Sequence, residues 1–285
     1  MKLFRYVKHD GVYPGMVDSS GQLRDISAHL DDVSRACLSD TELARLCALD
    51  ERQLPLISTP VRYSPPISDI GKFIAIGLNY LDHAEEAGLA IPSEPLVFFK
   101  PVSCISGADD PIVQPPHSRQ LDWEVELGVV IGKRARYAPV AQALEHVAGY
   151  CVANDVSDRG FQFQSSQWDK GKSSDSFGPL GPWLVTRDEV PDPQSLPMWL
   201  EVNGQRRQEG NTQTMIFSVA EIISYCSHYM TLDVGDVIIT GTPPGVSMGM
   251  KPHPKWLEPG DEVVLSICGL GVQRHVVMRY EAEQA

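Results

Sequence analysis

The run QLDWEVELGVVIG, residues 120–132, contains the pattern on which the fold and the chemistry of this chain depend. Its second half, LGVVIG, is apolar and β-branched, as is typical of a strand covered on both faces. In its first half, Asp122, Glu124 and Glu126 occupy alternate positions. Because side chains two apart in a strand point to one face, three carboxylates are predicted side by side. Taken alone, this alternation indicates a solvated acidic face, whereas buried carboxylates need cations or hydrogen-bond donors.

A second acidic signal ends the apolar run VAGYCVAND, residues 147–155. Asp155 is predicted at a strand terminus, where functional sites concentrate, although an Asx turn or a helix cap explains an isolated Asp equally well. Glu124, Glu126 and Asp155 together offer three hard oxygen ligands. Such a set suits Mg²⁺ or Mn²⁺, with positions left open for water and substrate, and does not suit zinc.

Seven short β-rich runs after residue 70 predict strands: KFIAIGLN, LVFFK, ELGVVIG, VAGYCVAND, WLEVNG, DVIITG and EVVLSI. Helical patterns interrupt them near residues 80–88, 139–147 and 218–229. In the last of these, Ser218 with Glu221 three residues later predicts a helix cap. Strict βαβ alternation is absent, so the pattern predicts an α+β fold built on a twisted sheet, a sandwich or a rolled barrel.

The first 66 residues differ in pattern from the rest of the chain. Residues 2–26 predict a hairpin with turns at GVYPG (residues 11–15) and SSG (residues 19–21), and Ser39 with Glu42 predicts a capping box. A Pro-rich connector from Pro55 to Pro66 follows. The chain is therefore predicted to consist of a small N-terminal α/β region, residues 1–66, and a larger domain, residues 67–285.

Composition excludes several classes of function. The net charge of −13 argues against nucleic acid and anionic membranes as partners, and it requires a local positive centre for any anionic substrate. No apolar run is long enough to span a membrane, and the N-terminus lacks the apolar core of a signal peptide. The six cysteines are scattered without a C-x-x-C pair, which is typical of a reducing compartment. Cytoplasmic localisation is the expectation.

An ordered set of motifs resembles the fumarylacetoacetate hydrolase family over roughly residues 70–275. The set is E-x-E at 124–126, ANDVSDR at 153–159, GKSSDSFGPLGPW at 171–183 and TGTPPGV at 240–246. The resemblance implies a mixed β-sandwich or β-roll as the catalytic domain, and a homodimer. It also implies Mg²⁺ or Mn²⁺ on Glu124, Glu126 and Asp155, so that the two glutamates converge because a cation lies between them.

The resemblance also assigns candidate roles to other residues. Lys172, which is otherwise a surface amine, would offset the acidic ligands and hold a substrate oxygen. The turn that contains Thr242 would hold the substrate carboxylate, and Arg159 and Gln162 are further substrate contacts.

His83 and Glu86 lie three apart in NYLDHAEEAGL, where they predict one face of a short helix. Without context they are equally well explained as a surface pair. In similar family members a comparable pair on a mobile lid helix activates water, and an imidazole oriented by a carboxylate is a suitable general base near neutral pH.

These parts predict a mechanism for a small-molecule 2-oxo acid. The cation stabilises an enolate, hydroxide made by His83 and Glu86 adds at a C4 carbonyl, and the C3–C4 bond breaks to release pyruvate. The N-terminal sequence is similar to bacterial members that hydrolyse 2,4-diketo-3-deoxy-L-rhamnonate or L-fuconate. Three alternatives stay open: an oxaloacetate-type decarboxylase, a 2-hydroxy-dienoate isomerase, and a binding protein that has lost catalysis.

Overall fold

The computed structural model describes residues 1–8, 11–57 and 60–281 and contains eighteen strands and five α-helices in those ranges. The predicted α+β fold, with mixed sheets and few helices, is confirmed. The predicted hairpin, connector and larger domain each include residues outside the described ranges, namely 9–10, 58–59 and 282–285. In the described ranges, no helix combines the length and the hydropathy needed to cross a bilayer.

The strands are, in chain order, β1 (Lys2–Lys8), β2 (Gly11–Val17), β3 (Leu23–Asp25), β4 (Tyr63–Ser64), β5 (Phe73–Gly77), β6 (Leu96–Lys100), β7 (Ile105–Ser106), β8 (Ile112–Gln114), β9 (Leu121–Asp122), β10 (Val125–Ile131), β11 (Val147–Asn154), β12 (Ser157–Asp158), β13 (Gly178–Thr186), β14 (Pro197–Val202), β15 (Gln205–Asn211), β16 (Val237–Ile239), β17 (Glu262–Ile267) and β18 (Gly271–Arg279). The α-helices are α1 (Asp40–Cys47), α2 (Leu81–Ala87), α3 (Arg159–Gln162), α4 (Asp169–Lys172) and α5 (Val219–Tyr229). All seven strands predicted after residue 70 are present, whereas the helix predicted near residues 139–147 is a 3₁₀-helix, Val140–His146.

The largest sheet has the strand order β3-β2-β1-β13-β11-β10-β16-β5-β6, with β4 beside β1 and β7 beside β13. Strands β10 and β11 are antiparallel neighbours in its interior, and every residue of both is buried. The prediction that LGVVIG is covered on both faces is therefore confirmed. Because β-branched side chains pack well on a pleated surface, this strand pair forms the centre of the core.

The second sheet, in the order β15-β14-β17-β18-β8, packs on the large sheet. A buried glutamine in each of two of its strands bonds the large sheet across the interface. Gln273 in β18 donates to the carbonyls of Val152 and Gly181 over 2.9 and 3.1 Å. Gln208 in β15 accepts from the Val125 N–H over 2.9 Å, which fixes the first residue of β10. The second sheet thereby holds the strand end at which the acidic residues lie.

The large sheet is strongly curled. Strand β6 is four strand positions from β11, so a flat sheet would place them about 19 Å apart. Nevertheless, Lys100 at the end of β6 lies 2.6 Å, Nζ to Oδ1, from Asp155, which directly follows β11. The curl brings distant strands to one centre and gives the predicted rolled form.

The cap predicted for α5 is confirmed, and one of the two bonds of the capping box predicted for α1 is present. At α5, Ser218 accepts from the Glu221 N–H, and the Glu221 carboxylate accepts from the Ser218 N–H, so the box is complete. At α1, Ser39 accepts from the Glu42 N–H over 3.3 Å. The reciprocal half of the box predicted there is wrong, because the Glu42 carboxylate accepts from Arg45 instead.

The prediction of a turn at GVYPG is also wrong. These residues belong to β2, which pairs with β1 along its whole length and with β3 from Gly15 onward. A Cβ on Gly15 would lie 2.3 Å from the Phe4 ring, so glycine here makes room for an aromatic side chain. The predicted SSG turn is present, with Gly21 at φ +81°.

Candidate metal centre and active site

The candidate site lies where the start of β10 meets the end of β11. The strands are antiparallel with Val125 opposite Asn154, so Glu126 in β10 and Asp155 after β11 reach the same edge. The ladder continues past both strand ends, because the Asp155 N–H donates to the Glu124 carbonyl over 2.9 Å. Main-chain hydrogen bonds therefore hold the three acidic residues in register.

The three carboxylates predicted as metal ligands come together in the structure. One oxygen each from Glu124, Glu126 and Asp155 lies within 4.8 Å of the other two, and all three residues are buried. Among the residues that the structure describes, this is the one group of three or more His, Cys, Asp or Glu side chains with such spacing. The donor set is all carboxylate oxygen, so it fits the Mg²⁺ or Mn²⁺ that the sequence predicts.

Asp122, the first carboxylate of the alternating run, binds protein groups. It accepts from Arg159 Nε over 2.9 Å and from the backbone N–H groups of Ser247 and Met248 over 2.7 and 3.1 Å. Arg159 Nη2 also donates to Glu124 Oε1 over 2.5 Å. The guanidinium therefore orients one candidate ligand, and Asp122 holds the guanidinium in place.

Two lysine side chains enter the carboxylate cluster, and both residues are only 2% exposed. Lys172 Nζ lies 2.7 Å from Glu124 Oε2 and 2.5 Å from Asp155 Oδ2. Lys100 Nζ lies 2.6 Å from the other Asp155 oxygen and 2.8 Å from the Lys172 carbonyl oxygen. The Glu124 and Asp155 carboxylates are thus paired with cations through short, charge-assisted hydrogen bonds in the interior of the protein.

The sequence pattern indicates Lys172 but not Lys100. Lys100 is the last residue of the apolar run LVFFK in β6, just as Asp155 is the last residue of the run VAGYCVAND. A lysine that ends an apolar run is the available signal, but nothing in the sequence shows that the sheet curls to bring β6 to the site. Lys170, two positions before Lys172, is exposed.

The pKa values of Glu126 and Glu124 are shifted in opposite directions. Burial, and then the charges of Asp155 and Glu124, raise the pKa of Glu126 well above its ordinary value. Burial also acts to raise the pKa of Glu124, but Arg159 and Lys172 outweigh it and hold that pKa below its ordinary value. Of these two glutamates, Glu126 therefore holds its proton to the higher pH.

Lys172 remains charged in this setting. Burial alone would lower the pKa of its ammonium, but the adjacent Asp155 and Glu124 carboxylates raise the pKa above its ordinary value. An ammonium has three N–H donors, and the carboxylates take two of them. One donor is left for a substrate oxygen.

The loop after β16 supports Glu126. The Gly241 N–H donates to Glu126 Oε2 over 2.7 Å. Gly241 has φ +93°, and a Cβ there would lie 2.8 Å from the Asn79 side chain, so the position requires glycine. Asn79, which the sequence pattern did not single out, fixes this loop by donating to the Thr240 carbonyl over 2.9 Å.

Thr242 lines the cavity, but its hydroxyl already makes two hydrogen bonds. It donates to the Val125 carbonyl over 2.9 Å and accepts from Gln208 Nε2 over 2.8 Å. Through these bonds the hydroxyl links the loop after β16 to the first residue of β10. Its predicted contact with a substrate carboxylate stays a prediction.

His83 and Glu86 form the predicted pair on α2. His83 Nδ1 lies 3.2 Å from Glu86 Oε2, and Glu86 Oε1 accepts from the Gly245 N–H over 3.0 Å. A proton on Nδ1, donated to Glu86, leaves the lone pair on Nε2. The chain enters α2 through Leu78, whose φ of +49° costs roughly 1–3 kcal/mol in a residue other than glycine. The strained bend brings the pair to the site.

A cavity of about 320 Å³ connects these groups. His83, Lys172 and the three acidic residues line it together with Gly241 and Thr242. Arg159 and Gln162, the predicted substrate contacts, also line it, and Arg159 Nη1 donates to Gln162 Oε1 over 2.9 Å. Eight of the nine predicted site residues therefore line one cavity, and the ninth, Glu86, lies behind it in contact with His83.

The chain is similar to a known protein family and to bacterial proteins. The chain matches the family model described as Fumarylacetoacetate (FAA) hydrolase C-terminal over residues 72–278. A Burkholderia orbicola protein, named only as a hydrolase, is 56% identical over 274 residues, which cover 96% of this chain and 97% of that protein.

Solved structures show the same likeness. A fumarylacetoacetate hydrolase from Exiguobacterium antarcticum is 35% identical with a TM-score of 0.86, covering 98% of this chain and all of that one. Maleylpyruvate hydrolase from Sphingobium sp. SYK-6, solved with manganese(II) and pyruvate, is 30% identical with a TM-score of 0.82, covering 99% and 100%. A 5-carboxymethyl-2-hydroxymuconate delta-isomerase from Mycobacterium smegmatis is 34% identical with a TM-score of 0.78, covering 99% and 100%. Hydrolases and an isomerase are thus similar to this chain over nearly its whole length.

Proposed function

Because the chain belongs to the fumarylacetoacetate hydrolase C-terminal domain family, we propose that it is a Mg²⁺- or Mn²⁺-dependent hydrolase of 2,4-diketo acids. The reaction is cleavage of the C3–C4 bond to give pyruvate and a carboxylic acid. The observation that carries this proposal is the His83–Glu86 pair in the same cavity as the acidic triad. Such a pair can take a proton from water, which is the step that hydrolysis adds to the chemistry of the metal centre.

The charges of the cluster support an anionic substrate. Four carboxylates, those of Asp122 and the acidic triad, face the three cations Lys100, Arg159 and Lys172. With Glu126 protonated this cluster is neutral, and a divalent ion that displaces the proton leaves it with one positive charge. The carboxylate of a 2-oxo acid would then restore neutrality in a buried site, where an unbalanced charge is costly.

Glu124, Glu126 and Asp155 would hold the ion, which would supply a Lewis acid to the 2-oxo acid part of the substrate. The third N–H of Lys172 would bind a substrate oxygen and help to orient the acid. Glu86 would hold the His83 imidazole with its proton on Nδ1, so that Nε2 can take a proton from water.

The hydroxide formed in this way adds to C4 of the substrate, and the electron pair of the C3–C4 bond then moves to C3. C3 takes up a proton, so the overall change is the addition of one water molecule across the broken bond. Lys172 can stabilise the negative charge on the pyruvate half while that proton is delivered.

A pyruvate-release assay coupled to lactate dehydrogenase tests the proposal. Acetylpyruvate should yield pyruvate with Mg²⁺ or Mn²⁺, and a chelator should abolish the activity. His83→Gln should lower kcat by on the order of 10²–10⁴-fold while leaving Mn²⁺ binding intact, as electron paramagnetic resonance would show. Lys172→Met should be inactive, and the exposed neighbour provides its control, since Lys170→Met should retain activity. No pyruvate from any 2,4-diketo acid would contradict the proposal.

A decarboxylase or isomerase of the same family is the second candidate, favoured by the likeness to the Mycobacterium smegmatis isomerase. Neither reaction needs an activated water. Release of CO₂ from oxaloacetate, or isomerisation of a 2-hydroxy-dienoate, with activity retained in His83→Gln, would support this candidate. Mn²⁺ binding without turnover of any of these substrates would instead support a non-catalytic binding protein.

A further inference from the structure

The cavity has two chemically distinct halves. The charged cluster forms one half, and the other is apolar. Six residues from three segments form this apolar wall: Leu89, Ala90, Leu96, Phe98, Phe163 and Trp168. Because the pyruvate part of a 2,4-diketo acid belongs at the charged half, its acyl part must extend along the apolar wall.

The apolar wall begins directly beside the reacting groups. Lys172 Nζ lies 5.4 Å from the centroid of the Phe98 ring, and Phe98 packs edge-on against Trp168 with centroids 5.6 Å apart. Trp168 sits over Gly77, where a Cβ would lie only 2.4 Å from the indole Cζ3. The lack of a side chain at position 77 therefore provides the space that the indole occupies, and the two rings form a continuous aromatic surface leading away from the centre.

The apolar wall offers no partner for a second charge. Among the described residues that line the cavity, Arg159 and Lys172 are the Arg and Lys side chains, and both are bound to carboxylates of the cluster. A carboxylate at the far end of a dioic substrate would lose its hydration without gaining a cation. A tail with several hydroxyl groups would lose hydrogen bonds to water in the same way.

The mouth of the cavity leaves large apolar side chains in solvent. Leu89 and Phe163 are each 56% exposed and Leu96 is 38% exposed. Clustered exposed apolar residues around a cleft are typical of a surface that an apolar ligand covers.

We propose that the acyl group released as the carboxylic acid is uncharged and apolar, so that the substrate is a monocarboxylic 2,4-diketo acid with an alkyl or aryl tail. This inference rests on the proposed function and narrows it. It replaces the hydroxylated tail expected from the likeness to sugar-acid hydrolases. It also separates this chain from a relative such as maleylpyruvate hydrolase, whose named substrate carries a second carboxylate.

A substrate series tests the inference with the metal-loaded enzyme. In straight-chain acylpyruvates longer than acetylpyruvate, kcat/KM should rise about fourfold for each added methylene until the apolar wall is covered. Benzoylpyruvate should be cleaved more efficiently than acetylpyruvate. A tail of equal length that ends in a carboxylate, or that carries a hydroxyl at C5, should be at least tenfold poorer than its alkyl counterpart.

Three variants test the assignment of the apolar wall. Trp168→Ala should lower the ratio of kcat/KM for benzoylpyruvate to that for acetylpyruvate by about tenfold or more. Leu96→Arg should raise the relative kcat/KM of the carboxylated tail, because it places a cation on the apolar wall. Phe99→Ala changes the neighbouring residue on the opposite face of β6 and should leave both ratios unchanged.

The outcomes separate this inference from the function on which it rests. If acetylpyruvate and all its analogues release no pyruvate, the proposed function fails and the inference falls with it. If acetylpyruvate is cleaved but carboxylated or hydroxylated tails are preferred over alkyl tails of equal length, the inference is overturned and the function stands. A change of oligomeric mass in Trp168→Ala or Leu96→Arg, with unchanged substrate ratios, would identify the wall as a subunit contact and also overturn it.

Discussion

Metal binding to the buried cluster must displace the proton of Glu126. Its pKa is raised by burial and by the neighbouring Asp155 and Glu124 charges, so below that raised pKa the carboxyl is neutral. An ion can bind only after this proton leaves. The apparent affinity for Mg²⁺ or Mn²⁺ should therefore rise with pH up to the raised pKa, and each ion bound should release close to one proton.

Isothermal titration calorimetry in two buffers of different ionisation enthalpy measures this proton release. Glu126→Gln has the same shape but no ionisable proton, so it should bind Mn²⁺ more weakly and without the proton release. Affinity that falls with rising pH in the native protein, or equal proton release in the variant, would contradict the assignment of Glu126.

Individual site residues differ in how far the sequence could predict them. Glu126 and Asp155 are predictable from the alternating run and from a strand end, and Glu124 lies close to Glu126 although it falls between β9 and β10. Lys100 is not, because its approach to Asp155 depends on the curl of the whole sheet. The hydroxyl of Thr242 is placed in the right cavity by the motif, but its bonding to Val125 depends on packing that no local pattern shows.

Helix α2 carries the His83–Glu86 pair, for which we propose water activation, but it has only seven residues, too few for stability of its own. The bond from the Gly245 N–H to the Glu86 carboxylate ties this helix to the loop after β16. Glu86→Ala should therefore speed amide hydrogen exchange in α2, as measured by mass spectrometry. Glu85→Ala, at the adjacent exposed position, provides the control and should not; equal exchange in both variants would show that the tie does not hold the helix.

The two capped helices allow a matched comparison of their N-terminal bonds. Ser218→Ala removes the hydroxyl that accepts from the Glu221 N–H and donates to the Glu221 carboxylate at α5, while the backbone N–H of residue 218 still donates to that carboxylate. The change should cost about 1 kcal/mol, or roughly 2 °C in Tm. Ser39→Ala removes a single 3.3 Å bond at the more exposed α1 and should cost less. Thermal denaturation followed by circular dichroism measures both, and a larger loss at Ser39 would contradict this ranking.

Elements follow from the sequence where a single pattern determines them. The buried strands and the box at Ser218 are of this kind. The GVYPG segment is not, because its glycine is needed under the Phe4 ring, a contact between neighbouring strands. In the same way, the apolar spacing near residue 140 does not distinguish an α-helix from the 3₁₀-helix that forms.

At the scale of the molecule, the first strands are built into the large sheet. Lys2 and Leu3 of β1 pair with β13, and Met1, Leu3 and Met16 belong to the main hydrophobic core. The predicted division of the chain into a region of residues 1–66 and a domain of residues 67–285 stays a prediction. We expect one cooperative unfolding transition for the whole chain by calorimetry, and two separated transitions would contradict this expectation.

The homodimer is likewise a prediction that rests on family likeness. Size-exclusion chromatography with light scattering should give twice the mass of one chain at micromolar concentration. A monomer under these conditions would exclude the dimer as the working state.

The fold class of the molecule is predictable from its sequence, because short buried strands without βαβ alternation leave few architectures. The curl of the sheet is not predictable, since it depends on how two layers pack and on twist summed over many strands. That curl is what turns separate strand ends into one centre.

The three basic side chains in the acidic cluster also bear on how the protein matures. A small zinc domain stays unfolded until its metal arrives, since nothing else in the chain can tolerate its ligands together. Here Lys100, Arg159 and Lys172 already offset most of the negative charge at the centre. A newly synthesised chain can therefore complete its fold before any ion is captured.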